Sequence, residues 1–221
     1  MTQGARSRLS LLLDIVSVGI LLVLLALVVR SRVFVDAPPA ALNRVIEDSL
    51  WEAAWAAARH RGASDASVRI LQFSDLECPA CRRLAQELHS AGLDTIEDVA
   101  IGFLHYPLAQ HRFAMRAALV SECAAARGSF WAAYDSLLAR QDDFGLLRWS
   151  RILGDTVDEQ GLDECVSSAK GSRLIESHRS LGRRIGIPGT PAVMINGLLL
   201  AAPPTAVTLD SIVAAARGTQ P

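Results

Sequence analysis

The chain has 221 residues, 51% hydrophobic and 20% charged, with a formal net charge of −1. This composition excludes a disordered chain, and the near-zero charge excludes the single-sign field that captures nucleic acid. Its four cysteines, Cys78, Cys81, Cys123 and Cys165, are too sparse for a disulfide-stapled mini-protein.

After a tail (residues 1–10), Leu11 to Val29 is apolar except for Asp14, Ser17 and Gly19. A helix of that length spans roughly 28 Å, near the hydrocarbon thickness of a bilayer. We read 11–30 as an uncleaved transmembrane anchor, since Arg30-Ser31-Arg32 follows it where a cleavage site would have small residues. A cleaved signal peptide is the rival reading. Arg6 and Arg8 before the segment balance Arg30 and Arg32 after it, so charge leaves the orientation open. Residues 31–41, with Pro38-Pro39, read as a stiff linker.

A leading helix is predicted over 42–62: Leu42, Val45, Ile46, Leu50, Ala54 and Trp55 recur near helical spacing, and Gly62 ends the run. Trp51 and Trp55 form its apolar face, packing on the domain or on a membrane. Residues 63–221 form the main domain. Val68–Phe73 is a predicted strand, Cys81–Ala91 a helix and Val99–Leu104 a second strand. From Arg112 to about Ile185 the pattern is helical, with breaks at Gly128, near Gly145 and at Gly171. Ala192–Ile195 and Leu198–Ala201 are short strands joined by the hairpin signal Asn196-Gly197, and Thr208–Ala216 closes the chain as a helix. Strands alternating with helices predict an α/β fold, a sheet covered by helices.

Cys78-Pro79-Ala80-Cys81 opens a predicted helix just after a strand. Free N–H groups and the dipole at a helix start favour a thiolate, the nucleophilic form of cysteine. One turn along, Cys81 is placed to close a disulfide, and Pro79 suits a first turn that needs no N–H. Two other readings stay open: half of a zinc site, although no second close-spaced ligand pair follows, and a purely structural disulfide. Ala80 offers Cys78 neither donor nor charge, and Glu77 adds a negative charge that works against a thiolate. Cys123 and Cys165 are read as a structural disulfide between two helices, or else as two buried free thiols. His105, His111 and His178 show no constellation and read as satisfied or surface side chains.

Two segments resemble a known family. Phe73-Ser74-Asp75-Leu76-Glu77-Cys78-Pro79-Ala80-Cys81-Arg82 is similar to the active-site segment of DsbA-like thioredoxin-fold thiol–disulfide oxidoreductases. Gly186-Ile187-Pro188-Gly189-Thr190-Pro191-Ala192-Val193-Met194-Ile195-Asn196-Gly197 resembles that family's cis-proline loop and hairpin. The resemblance runs from about Ser67 to Ala216 and implies a thioredoxin-like fold with an inserted helical subdomain, here about 107–186. It gives Cys78 the role of attacking or attacked sulfur, Cys81 that of resolving it, and Pro191 that of the cis-proline. Thr190, Pro191, Pro79 and Ala80 then line the substrate groove. It implies no metal and no organic cofactor.

Two departures stand out. Gln72 occupies a strand position where many such enzymes hold a buried carboxylate, and Pro-Ala replaces the Pro-His of strongly oxidising members, which implies a less oxidising disulfide. The expected function is dithiol–disulfide exchange on exported proteins, on the periplasmic or extracellular side, with a membrane redox partner recycling the cysteines. A redox-inert peptide-binding module and a copper-handling protein are the alternatives.

Overall fold

The computed structural model describes residues 15–23, 43–63, 65–93, 96–154 and 158–218. Contacts divide the chain into Met1–Ala41 and Leu42–Pro221. In the first unit, residues 15–23 form a helix (α1) with exposed side chains. No helix among the described residues is long and apolar enough to cross a membrane. The rest of the predicted span Leu11–Val29, the tail 1–10 and the linker 31–41 lie outside the described residues.

The second unit is built on a six-stranded sheet in the order β1 (Arg44–Val45), β6 (Leu198–Leu199), β5 (Ala192–Ile195), β3 (Val68–Ser74), β4 (Val99–His105), β2 (Arg59–Arg61). Its central strands are β3 (Val68–Ser74), β4 (Val99–His105) and β5 (Ala192–Ile195). β3 pairs β4 in parallel and β5 antiparallel. Side chains alternate faces along each strand, and both faces are buried, so the strands are mainly apolar, with Gln72, Ser74 and His105 as buried polar exceptions. Leu71, Phe73, Ala192 and Met194 face one layer with Trp51 and Trp55. Ile70, Val193 and Ile195 face the other with Leu84, Leu88 and Leu209. The layers are α2 (Asp48–Ala57) with α8 (Ala169–Ile185) and α3 (Pro79–Ser90) with α9 (Ala206–Gly218).

The leading segment departs from the single helix predicted over 42–62. Arg44–Val45 is strand β1, paired with β6 (Leu198–Leu199). Helix α2 begins only at Asp48, and Arg59–Arg61 is strand β2, antiparallel to β4. Open sheet edges supply the backbone partners that override helical spacing at both ends of the segment. The two tryptophans lie in the core, stacked with ring centroids 5.7 Å apart. Gly102 lets α2 approach the sheet: a Cβ there would lie 2.7 Å from Leu71 and 3.0 Å from Trp55. Asn196 and Gly197, at φ 46° and 83°, turn the β5–β6 hairpin.

Between β4 and β5 lies a helical block. It contains α4 (Ala114–Ala125), α5 (Phe130–Ala139), a 3-10 turn (Gln141–Asp143), α6 (Trp149–Ile152) and α7 (Glu159–Val166), and it leads into α8. Gly128 and Gly145 stand between elements with positive φ, as the pattern predicts. Gly171 instead lies inside α8, where a Cβ would come within 2.9 Å of Leu119, so its smallness serves packing rather than a break.

Candidate active site

β3 delivers the chain to a short turn in which the Cys78 N–H donates to the Asp75 carbonyl at 3.1 Å. Cys78 is then the N-cap of α3, with extended backbone (φ −73°, ψ 122°), and Pro79 takes the first helical position. The helix starts by donating the Cys81 and Arg82 N–H groups to the Cys78 carbonyl, at 3.0 and 3.1 Å. The helical block holds this turn in place. The Gln141 amide donates to the carbonyls of Leu76 (2.9 Å) and Cys78 (3.1 Å), and Arg82 in turn donates to Gln141 at 2.9 Å.

On the facing side, α8 ends at Gly186, whose left-handed backbone (φ 74°) closes the last turn. Pro188 follows, and the chain runs to a cis Thr190–Pro191 peptide bond. This loop abuts the cysteines: the Cys78 thiol donates to the Thr190 carbonyl at 3.6 Å. Pro191 is buried, Pro79 exposed and Ala80 half-buried. The structure therefore brings Cys78, Cys81, Thr190, Pro191, Pro79 and Ala80 together at one place.

The two cysteines are unlinked and chemically unequal. Cys78 is 7% exposed, less open than a nucleophile at a helix start suggests, and Cys81 is 0% exposed. The Cys78 thiol is pushed down to about 5, chiefly by a hydrogen bond from Cys81, with help from backbone N–H groups at the helix start, against the cost of burial. Burial pushes Cys81 up, and the neighbouring Cys78 adds to this; the Asp75 N–H, donating to its sulfur at 3.4 Å, works the other way. This arrangement can hold one stable thiolate beside one retained thiol, the state a dithiol needs to open and close a disulfide.

Gln72 is fully buried, and its amide and the Tyr134 hydroxyl lie at 3.3 Å. Burial pushes the Tyr134 phenol up, so this pair keeps its protons and supplies no base. The base-bearing feature nearby escaped the sequence reading. Asp75, 1% exposed, accepts hydrogen bonds from the Glu77 N–H (2.8 Å), the Leu108 N–H (2.8 Å) and His111 Nδ1 (2.7 Å). A sequence separation of 36 between Asp75 and His111 hides this pair from any motif search; the loop after β4 closes the distance. His105 and His178 are buried elsewhere, stacked 5.7 Å apart, with His105 Nε2 3.0 Å from Glu122. Cys123 and Cys165 are joined by a disulfide linking α4 to α7, with S–S 2.00 Å and Cα atoms 6.0 Å apart.

A family profile described as Thioredoxin matches residues 56–215. The chain belongs to this thioredoxin family. Solved structures agree on the fold. BdbD from Bacillus subtilis, in its oxidised form, superposes with a TM-score of 0.65 at 18% identity, covering 80% of this chain and 97% of its own. A thioredoxin-like oxidoreductase from Silicibacter pomeroyi gives 0.64 at 23%, covering 74% and 94%. Wolbachia pipientis alpha-DsbA1 gives 0.63 at 16%, covering 73% and 91%. The fold is thus thioredoxin-like with DsbA-like neighbours. Among curated sequences, the Na(+)/H(+) antiporter NhaA 1 of Mycolicibacterium gilvum is 28% identical over 162 residues, 72% of this chain and 26% of that protein. NhaA 3 of Salinispora tropica is 30% identical over 141 residues, 62% and 21%. The chain spans about a quarter of the length of these relatives.

Proposed function

We propose that the protein is a thiol–disulfide oxidoreductase that exchanges disulfides with exported proteins through Cys78 and Cys81, anchored in a membrane by Leu11–Val29 with its folded domain on the extracytoplasmic side. The observation that carries the chemistry is the unequal pair at the start of α3: a depressed thiol at Cys78 and a raised one at the fully buried Cys81. In the oxidising direction a substrate thiolate attacks the Cys78 sulfur of the Cys78–Cys81 disulfide. The S–S bond breaks, a mixed disulfide forms, and Cys81 leaves and takes up a proton. A second substrate thiolate then attacks the substrate sulfur and releases Cys78 as thiolate. One enzyme disulfide and two substrate thiols become one enzyme dithiol and one substrate disulfide; the reducing direction is the reverse. Thr190 and Pro191, with Pro79 and Ala80, border the cysteines and form the groove for the substrate backbone. A membrane redox partner recycles the pair, and no metal or organic cofactor takes part. The apolar run supports the membrane placement, as does similarity to proteins named antiporters.

The test combines trapping with labelling in intact cells. Cys81→Ser is expected to accumulate mixed disulfides with exported proteins, and Cys78→Ser to trap none. A maleimide that cannot cross the membrane is expected to label reduced Cys78 without lysis and to spare Cys81. Preferential labelling of Cys81 reverses the roles, and labelling only after lysis removes the extracytoplasmic placement.

A further inference from the structure

Asp75 is tied to both cysteines. Its carbonyl accepts from the Cys78 N–H, and its N–H donates to the Cys81 sulfur. Its carboxylate is sealed from solvent, and two of its three hydrogen-bond donors are neutral backbone N–H groups. The third is His111, the one partner able to bring a positive charge, with its side chain 21% exposed. Buried negative charge on the residue whose backbone hydrogen-bonds both cysteines works against a thiolate, and Glu77, adjoining Cys78, adds to the opposition. Ala80 cannot compensate. Among these groups His111, on the loop after β4, is the one able to set a positive charge against that opposition.

We propose that His111, held by Asp75, is the positioning residue that supplies the counter-charge for the Cys78 thiolate and thereby sets the redox poise of the pair. This rests on the exchange reading above and goes beyond it by assigning the control of thiolate stability to a residue outside the Cys-Pro-Ala-Cys segment. Burial opposes the charged imidazole, but the hydrogen bond to Asp75 and the charges of Asp75, Cys78 and Glu77 on the β3–α3 turn together draw it toward that form. The Glu77 carboxylate accepts the Phe113 N–H. On the ring's own loop, the Arg112 guanidinium lies over the Phe113 ring, 5.1 Å from its centroid. On α3 and the 3-10 turn, Arg82 and Asp142 pair with each other at 3.0 Å. The loop from Gly186 to Pro191 carries no ionisable side chain.

The experiment uses the full 221-residue chain and the variants His111→Asn and His111→Ala. Asparagine places an amide N–H near the position of Nδ1, keeping a donor for Asp75 without the charge. Thiolate absorbance against pH and equilibrium with glutathione are measured for each. The expected result for both variants is an apparent Cys78 pKa higher by about one unit, and an equilibrium constant shifted about tenfold toward the disulfide. That shift corresponds to a potential roughly 30 mV more negative. An unchanged thiolate titration and equilibrium in His111→Asn, with only stability lost in His111→Ala, would reduce His111 to a structural pin. A measurement on the unmodified chain guards against misfolded variants. The His111 ring protons, followed by NMR, are expected to titrate at higher pH in the dithiol form than in the disulfide form, and equal values overturn the proposal. If the wild-type chain fails to exchange with glutathione at all, the exchange reading falls; exchange that is indifferent to His111 removes only this inference.

Discussion

Cys78 and Cys81 differ because their surroundings differ, although only two residues separate them. Cys78 sits where the helix has unpaired N–H groups, and Cys81 lies one turn deeper with no exposure. A pH dependence follows with a definite sign. The folded Cys78 thiol lies at about 5, below its ordinary value of 9.0. A group depressed on folding stabilises the fold above its unfolded pKa and loses that contribution as pH falls through the folded one. The oxidised protein has no such thiol. The reduced form is therefore expected to gain melting temperature relative to the oxidised form as pH rises from about 5 toward 9. Thermal melts of both forms at about pH 4 and pH 7 check this. A difference that stays constant between the two would show that the thiolate carries no stabilisation.

At the scale of elements, the disulfide between α4 and α7 invites a separate test. Its sulfurs close a loop with a sequence separation of 42. The chain-entropy account assigns such a loop roughly 4 kcal/mol as an upper figure, usually reduced by structure retained in the unfolded chain. Cys123→Ala/Cys165→Ala is expected to lose about 2–4 kcal/mol in urea unfolding while keeping glutathione exchange. Loss of exchange with stability unchanged would reassign this pair to the chemistry. The central strands, the Cys78-Pro79-Ala80-Cys81 helix start and the Asn196-Gly197 turn were legible because each writes its physics locally, in periodicity, capping or turn chemistry. Arg44–Val45 and Arg59–Arg61 were not, because their strand state comes from partners at Leu198–Leu199 and Ile101–Phe103 that no local pattern shows. The Asp75–His111 pair was missed for the same reason. Asp75 lies in the segment that resembles the family's active site, but His111 reads from sequence as a satisfied or surface histidine, and their meeting depends on where β4 ends.

For the folded unit as a whole, the question is how the helical block is fastened to the sheet that carries the cysteines. Glu122 on α4 is 8% exposed. Its two oxygens meet His105 at the end of β4 (3.0 Å) and Arg59 on β2 (2.5 Å). His178 of α8 is pushed down to about 4 by burial and by the neighbouring His105, so near neutral pH its Nδ1 accepts the His105 N–H at 3.2 Å. One side chain of the block thus reaches the edge of the sheet and, through His105, helix α8. Burial alone would push the Glu122 carboxyl up, but the hydrogen bonds and charges of His105 and Arg59 hold it at about 2. Removing one member of a buried ion pair leaves the others desolvated and unmatched, at a cost of roughly 3–5 kcal/mol. The Arg59 side chain is 41% exposed, so solvent screens part of this. Glu122→Ala is therefore expected to lose about 2–3 kcal/mol in urea unfolding near pH 7, and Glu122→Gln, which keeps the shape and one acceptor, about half as much. The sign of the pH dependence is opposite to that of a raised group. The advantage of wild type over Glu122→Gln should be complete above the ordinary carboxylate value and fade as pH falls toward about 2. Equal stabilities near neutral pH, or an advantage that grows on acidification, would mean that apolar packing of the block, rather than this ion pair, fastens it to the sheet.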